Sequence, residues 1–409
     1  MHQTALTSAR TRRRLTVATA SALCAALAFA GSAGAATEPV KGPKGAAFYD
    51  PPKHLPKGVG ELIWQRKAKR LMRVEGAKSN RLVLYTTATE QGKTAPVSGV
   101  VSVPKGKPPK KGWPVITFAH GTTGIADSCA PSRISAGSPM AGAVTYIDPQ
   151  VEEWVKAGYA VVRTDYRGLG TPKEVHPYLI GEPAGRSVVD IVSAARDLGL
   201  KIGKKYLIAG HSQGGHAALW AAAPVAQRFA PKLKLRGTVA YAPASHIAEQ
   251  ADLLPALTSP STLSALVAMI IRGAELQSAV IHVNEILSDQ ALAPYPTVDQ
   301  VCLDQLGRPD SYGGIPPSEM QRDGSDLSPL LDILRPNNPA VTTKAPILIL
   351  QGTADSTVFP FTTDQLNQEL VALGDQVTYS KYEGVDHVGI TSAAEAEALA
   401  FMEKQLPPG

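Results

Sequence analysis

Ser212 lies in the pentapeptide Gly210-His211-Ser212-Gln213-Gly214, between an apolar run at 206–209 and an alanine-rich stretch at 217–226. A short apolar run, a serine flanked by glycines and then a series of strong helix formers predict a strand, a sharp turn and a helix in immediate succession. Such a nucleophile elbow strains the serine backbone and brings strand and helix so close that small residues are needed two positions to either side. Gly210 and Gly214 meet that demand, which makes Ser212 the candidate nucleophile. In 409 residues with 36 glycines the pattern also arises by chance, so the reading depends on suitable partners downstream.

The partners expected are an acid and then a histidine, each on a loop after a later strand. A buried-strand run at 346–350 leads into Gln351-Gly352-Thr353-Ala354-Asp355, and another at 377–382 leads into Glu383-Gly384-Val385-Asp386-His387. Taken singly, Asp355 reads as a turn aspartate and His387 as a surface histidine. Both standing in order behind an elbow, they read as the remaining members of a catalytic triad. His387 would take the proton of Ser212 as general base, while Asp355 would orient the imidazole and stabilise its cation. Asp386 competes for the acid role, but neighbouring side chains in an extended loop point apart. For the oxyanion, the backbone N–H of Gln213 is one expected donor. The second is assigned to Thr122 in His120-Gly121-Thr122-Thr123-Gly124, a loop after the strand expected at 113–119; Thr123, one residue on, is not separated from it by spacing.

Arg10, Arg12, Arg13 and Arg14 precede an apolar run at 15–30, and Ala33-Gly34-Ala35 supplies small residues for cleavage, so 1–35 reads as a signal peptide and the mature protein as secreted. The general secretory route is favoured, with twin-arginine export left open by the arginine run. The apolar run is too short for a comfortable membrane span. Cys24 leaves with the leader, and Cys129 and Cys302 remain; with no metal-ligand spacing in the chain, a disulfide is the simplest reading of that pair. Removing the leader leaves 37 basic against 35 acidic residues, a net charge of +2 that gives no warrant for a nucleic-acid partner. Lys105, Lys107, Lys110 and Lys111 are read as a solvated hairpin loop.

Strands are expected at 81–87, 97–103, 113–119, 159–164, 206–209, 235–241, 346–350 and 377–382, with helices at 150–156, 186–198, 213–226 and 363–373 between the later ones. Such alternation implies an α/β fold: an eight-stranded, mostly parallel sheet flanked by helices. A proline- and glycine-rich extension at 36–80 ends in an amphipathic segment at 61–72. The gap between the sixth and seventh strands is too long for a loop. Leu263, Leu266, Val267, Ile270 and Ile271 fall there at helical spacing, and 279–287 and 327–334 read as further short helices. The organisation expected is therefore leader 1–35, extension 36–80, core 81–245, helical cap 246–338 and core 339–409. Part of the cap would line an acyl pocket and exclude water, strengthening the oxyanion contacts below it. Asp165 and Arg167 are expected to form a buried pair bracing the loop after the fourth strand, and His211 and His216 to serve as packing and hydrogen-bonding residues.

The H-G-T-T-G loop at 120, D-Y-R-G-L-G at 165–170, the block from Tyr178 to Arg196, the elbow at 210 and Q-G-T-A-D at 351 together resemble bacterial members of the secretory lipase family, related to lipase A-type enzymes. The resemblance covers nearly the whole mature chain. It implies an α/β-hydrolase fold with a helical cap, acting on carboxylic esters including acylglycerols, without a cofactor, through Ser212, Asp355 and His387. The chain departs from some relatives in lacking an aspartate in the oxyanion loop. Three functions compete: a secreted serine esterase or lipase, an acyltransferase or peptidase using the same triad, and a noncatalytic binding protein, against which an intact triad argues. The partner expected is a small-molecule or lipid ester. Stable membrane insertion is not expected, transient contact with a lipid interface stays open, and oligomeric state is not legible.

Overall fold

In the computed structural model, residues 39–172 and 174–408 are described, and the leader expected at 1–35 lies outside the described residues. Nine strands form one sheet: β1 (Leu62–Lys67), β2 (Ser79–Ala88), β3 (Thr94–Val103), β4 (Trp113–Ala119), β5 (Ala160–Thr164), β6 (Ile202–His211), β7 (Lys234–Tyr241), β8 (Ile347–Gly352) and β9 (Val377–Tyr382), in the order β1-β2-β3-β5-β4-β6-β7-β8-β9. From β5 to β9 every neighbouring pair is parallel, whereas β1, β2 and β3 add an antiparallel edge. All eight expected strands are present. The ninth is β1, which replaces the amphipathic segment expected at 61–72: Leu62-Ile63-Trp64 carry β-favouring side chains, and the free edge of β2 supplies the partner that a local reading cannot see. The lysine-bearing loop at 104–112 is exposed but is not a hairpin, because β3 pairs with β5 and not with β4.

The central strands are apolar on both faces because helices cover both. In β4, Ile116 and Phe118 point to one layer and Val115 and Ala119 to the other; in β6, Leu207 and Ala209 oppose Tyr206 and Ile208 in the same way. The first layer is closed by α1 (Asp148–Lys156), through Val151 and Trp154. The second is closed by α2 (Gly181–Arg196) and α3 (Gln213–Ala222), whose alanines and valines let helix and sheet approach closely. Helix α3 stops short of the expected end because Ala223 turns extended ahead of Pro224.

Between β7 and β8 the chain forms helical and irregular structure with isolated β-bridges at Leu287, Cys302 and Gln321, and includes α4 (Leu263–Glu275) and α5 (Ser328–Leu334). The expected helix at 279–287 is reduced to Val283–Ile286. The inner face of α4, with Ala265, Ala268, Met269 and Ile271, is continuous with the first core layer. Two further helices, α6 (Pro360–Ala372) and α7 (Glu395–Gln405), complete the flanks, the latter burying Ala398 and Met402.

On α2, Asp190 is buried with its carboxylate accepting a 2.7 Å hydrogen bond from Thr87. Burial raises its pKa from 3.8 to about 7, outweighing the Thr87 bond and the Arg186 charge. Between those values the native state binds a proton that the unfolded chain does not, so the group's contribution to stability is full below pH 3.8 and is lost as pH rises through about 7. Asp190→Asn removes this titration. Its melting temperature should therefore gain on the wild type as pH is raised from 4 to 7, measured by thermal melts across that range; parallel curves would show that Asp190 does not titrate there.

Candidate active site

Ser212 follows β6 with φ 59° and ψ −119°, a left-handed conformation that costs a non-glycine residue about 1–3 kcal/mol and persists only where neighbours enforce it. The enforcement is visible in the backbone: Ser212 N–H donates to the Tyr241 carbonyl at 2.9 Å, and the Ser212 carbonyl accepts from His216 and Ala244 N–H. A β-carbon on Gly210 would stand 2.0 Å from the Gly214 carbonyl oxygen, and one on Gly214 would stand 1.9 Å from that of Ala119. Both glycines are therefore required for the contact between strand and helix.

Asp355 and His387 stand on the loops after β8 and β9, and His387 Nδ1 lies 2.7 Å from Asp355 Oδ2. The other acceptor positions of the carboxylate are filled by the amides of Thr357 and Val358 at 2.8 and 2.9 Å and by Gln351 Nε2 at 3.1 Å. Burial alone would raise the pKa of Asp355. The hydrogen bond and charge of His387, with the two amides, outweigh it and hold the group below the ordinary carboxylate range. An ionised Asp355 fixes the imidazole proton on Nδ1 and leaves the Nε2 lone pair for proton transfer. Asp386 is exposed and accepts instead from the Gly389 N–H at 2.7 Å. Ser212 Oγ makes no hydrogen bond among the described residues.

The backbone N–H groups of Gln213 and Thr122 likewise donate to nothing among the described residues. The Thr122 hydroxyl shares a 2.7 Å hydrogen bond with the Tyr178 hydroxyl, while Thr123 is buried and its carbonyl accepts from the Leu303 N–H at 3.0 Å. His176 holds the Gln213 side chain: its Nδ1–H donates to the Arg167 carbonyl, so Nε2 accepts from the Gln213 amide at 2.8 Å. Burial pushes the His176 pKa down to about 3, which keeps the ring neutral for this arrangement. Neither His176 nor Gln351 was legible as a site residue. A buried polar side chain leaves no periodic trace: the partner of His176 lies 37 residues away, and the bond from Gln351 to nearby Asp355 depends on a turn that no sequence period marks.

Cys129 and Cys302 form a disulfide with a Cα–Cα distance of 5.4 Å, closing a separation of 173 residues. Gly124, at φ 130°, lies against it: a β-carbon there would meet Cys129 Sγ at 2.7 Å. The bridge and the Gly124–Cys302 strand contact beside it tie the loop of Thr122 to the segment between β7 and β8. Chain-entropy reasoning gives such a link about 5 kcal/mol before native strain is subtracted. Replacing both cysteines by serine should lower unfolding free energy by roughly 2–5 kcal/mol in denaturant titrations. An unchanged midpoint would show that the link constrains little.

Asp165 and Arg167 do not pair. Asp165 accepts from Ser98 Oγ at 2.6 Å, from Ser132 N–H at 2.9 Å and from Ser132 Oγ, whereas Arg167 bonds Glu90 and Glu174. Tyr166 between them has φ 66°, so the chain turns sharply and sends the two charges apart.

An apolar cavity of about 130 Å³ opens at Ser212. Leu179 and Val358 contribute from the core, and Leu263, Leu266, Ile270 and Leu330 from the segment between β7 and β8. No helix among the described residues is long and apolar enough to cross a membrane.

A mostly parallel sheet with a strained serine after β6, an aspartate after β8 and a histidine after β9 has the arrangement of the α/β-hydrolase fold. Residues 135–299 match the family model described as secretory lipase, the family to which the motifs point. Among solved structures, the chain is similar to lipase A of Candida antarctica in its closed state, with a TM-score of 0.73 and 19% identity over 87% of this chain and 84% of that one. It is also similar to the rice cell wall degrading esterase LipA of Xanthomonas oryzae, with a TM-score of 0.67 and 20% identity over 85% and 98%. A putative hydrolase of Legionella pneumophila gives a TM-score of 0.65 at 19% identity over 80% and 90%. No curated protein matches in sequence.

Proposed function

We propose that this chain is a secreted serine hydrolase that cleaves carboxylic esters with extended apolar acyl groups. The observation that carries the reading is the apolar cavity opening onto a strained serine. In this mechanism Ser212 Oγ attacks the ester carbonyl while His387 Nε2 takes its proton, and the Gln213 and Thr122 amides receive the charge developing on the carbonyl oxygen. Collapse of the tetrahedral intermediate expels the alcohol, protonated by His387, and leaves the acyl group on Ser212. Water, deprotonated by His387, then releases the acid and restores the serine. Asp355 stabilises the imidazolium in both halves. Residues 246–338 act as a cap whose leucines hold the acyl chain and exclude water. The leader pattern at 1–35 and the matching secretory family support export.

The test is the hydrolysis of p-nitrophenyl esters from acetate to palmitate. Each methylene entering the cavity removes about 0.8 kcal/mol of apolar surface cost, so kcat/KM should rise roughly fourfold per added carbon until the cavity is full. Hydrolysis without that rise would remove the acyl-pocket assignment, and no hydrolysis of any ester would overturn the reading as a whole.

A further inference from the structure

His211, one residue before the nucleophile, is buried at 3% exposure with its ring centroid 4.7 Å from that of His387. Its Nε2 lies 2.8 Å from the backbone carbonyl of His387, and its Nδ1 lies 2.9 Å from the hydroxyl of Tyr146. A carbonyl oxygen only accepts, so Nε2 carries the proton, and in the neutral ring Nδ1 accepts from the tyrosine. With the ring neutral, the two bonds together select that one tautomer. Burial, with the neighbouring His387, supplies that condition by pushing the His211 pKa down to about 3. Tyr146 follows the one-turn helix Ala141–Thr145, and it also faces the oxyanion loop: a β-carbon on Gly121 would lie 3.2 Å from its hydroxyl and 3.4 Å from His211 Nδ1.

Three loops that approach the reacting atoms from different strands thus meet at the buried His211 and the half-buried Tyr146: the loop after β4 at Gly121, the elbow after β6 at His211 and the loop after β9 at His387. Asp355 grips the His387 ring from one side, but nothing in that contact fixes the His387 backbone. We propose that His211 and Tyr146 form a strut that positions His387, with His211 donating to the His387 carbonyl and Tyr146 fixing the His211 tautomer. The role rests on the ester-hydrolase reading for its kinetic consequence but not for its geometry. It also goes beyond local packing, because a ring that merely filled space would need neither hydrogen bond.

The experiment compares His211→Phe, His211→Gln and Tyr146→Phe with the wild type. Phenylalanine keeps an aromatic ring and loses both bonds, whereas glutamine keeps a donor near the place of Nε2. For His211→Phe the expected result is a fall in kcat of about 10- to 100-fold with little change in KM, since a small misplacement of a catalytic group costs on that order. The acid limb of the kcat profile should move to lower pH, because a displaced His387 pairs less well with Asp355 and its cation loses support. The downfield proton NMR signal of the hydrogen bond between His387 and Asp355 should shift or broaden. His211→Gln should recover part of all three, and Tyr146→Phe should show a smaller change in the same direction. The double variant of Phe at both positions should lose no more than His211→Phe alone, because the two residues act through one contact.

An unchanged kcat, acid limb and downfield signal in a cooperatively melting His211→Phe protein would overturn the strut, as would a loss confined to KM. If His211→Phe does not fold, Tyr146→Phe decides by the same readouts. A wild-type protein inert towards esters and unlabelled by a fluorophosphonate would instead defeat the ester-hydrolase reading, and the NMR signal would still decide the strut.

Discussion

Ser212→Ala should abolish ester hydrolysis, with kcat falling on the order of 10⁶-fold. The alcohol oxygen is the only atom of this chain placed to form the acyl-enzyme in the proposed mechanism. What survives its loss is the contribution of the oxyanion donors and of binding, roughly 10³ to 10⁴ over the uncatalysed reaction. The substitution also relieves no strain, since alanine at φ 59° is as disfavoured as serine. The fold should therefore be kept, and the melting temperature changes little. Binding of the acyl chain is unaffected, so a long-chain fatty acid should still protect the cavity from an apolar fluorescent probe. The measurement is steady-state hydrolysis beside fluorophosphonate labelling. Retained turnover would remove Ser212 from the mechanism altogether.

The second large effect concerns the acid. Asp355→Asn should lower kcat about 10⁴-fold with the loop geometry preserved, because an amide in that place no longer dictates the imidazole tautomer. The position is sensitive because its carboxylate is saturated: two amides, Gln351 and His387 occupy its acceptor sites, and an asparagine NH₂ would face at least one donor. Asp386→Asn is the matched control. Among the described residues the Asp386 carboxylate accepts only from the Gly389 N–H, an interaction that the asparagine carbonyl reproduces, and the substitution should leave kcat near that of the wild type. If the losses were reversed between the two aspartates, the acid would have to be reassigned to Asp386.

Much of this architecture is written locally. The elbow needs glycines at 210 and 214 whatever surrounds it, because two backbones approach within contact distance there. The parallel strands announce themselves because burial on both faces demands unbroken apolar runs, as in β4, β6 and β8. Serine and acid are legible for the same reason: each follows such a run, so its place at the carboxyl end of a strand is fixed by chain connectivity, whereas His387 follows β9, which reads as a buried strand but is a half-exposed edge strand with polar side chains. With Cys24 inside the expected leader, Cys129 and Cys302 leave a single intramolecular pairing, and the disulfide follows it.

Features that need a distant partner are not legible locally. The segment of β1 reads as amphipathic, because only the edge of β2 makes a strand of it. Asp165 and Arg167 read as a pair, yet the left-handed turn at Tyr166 separates them and serines from β3 and from residue 132 take the carboxylate. The groups that support the site, the half-buried Tyr146 and the buried His176, His211 and Gln351, act through partners 65, 37, 176 and 4 residues away. Most of these contacts have no sequence period, since a polar side chain within a core is satisfied by whichever backbone or ring the fold brings near it. The sequence alone thus determined the strand order of the chemistry, the elbow and the candidate triad, because these obey steric and connectivity rules that act within a few residues. Only the tertiary structure decided the ninth strand, the cavity above Ser212 and the hydrogen-bonded frame beneath His387, because burial and hydrogen-bond satisfaction are properties of the packed chain.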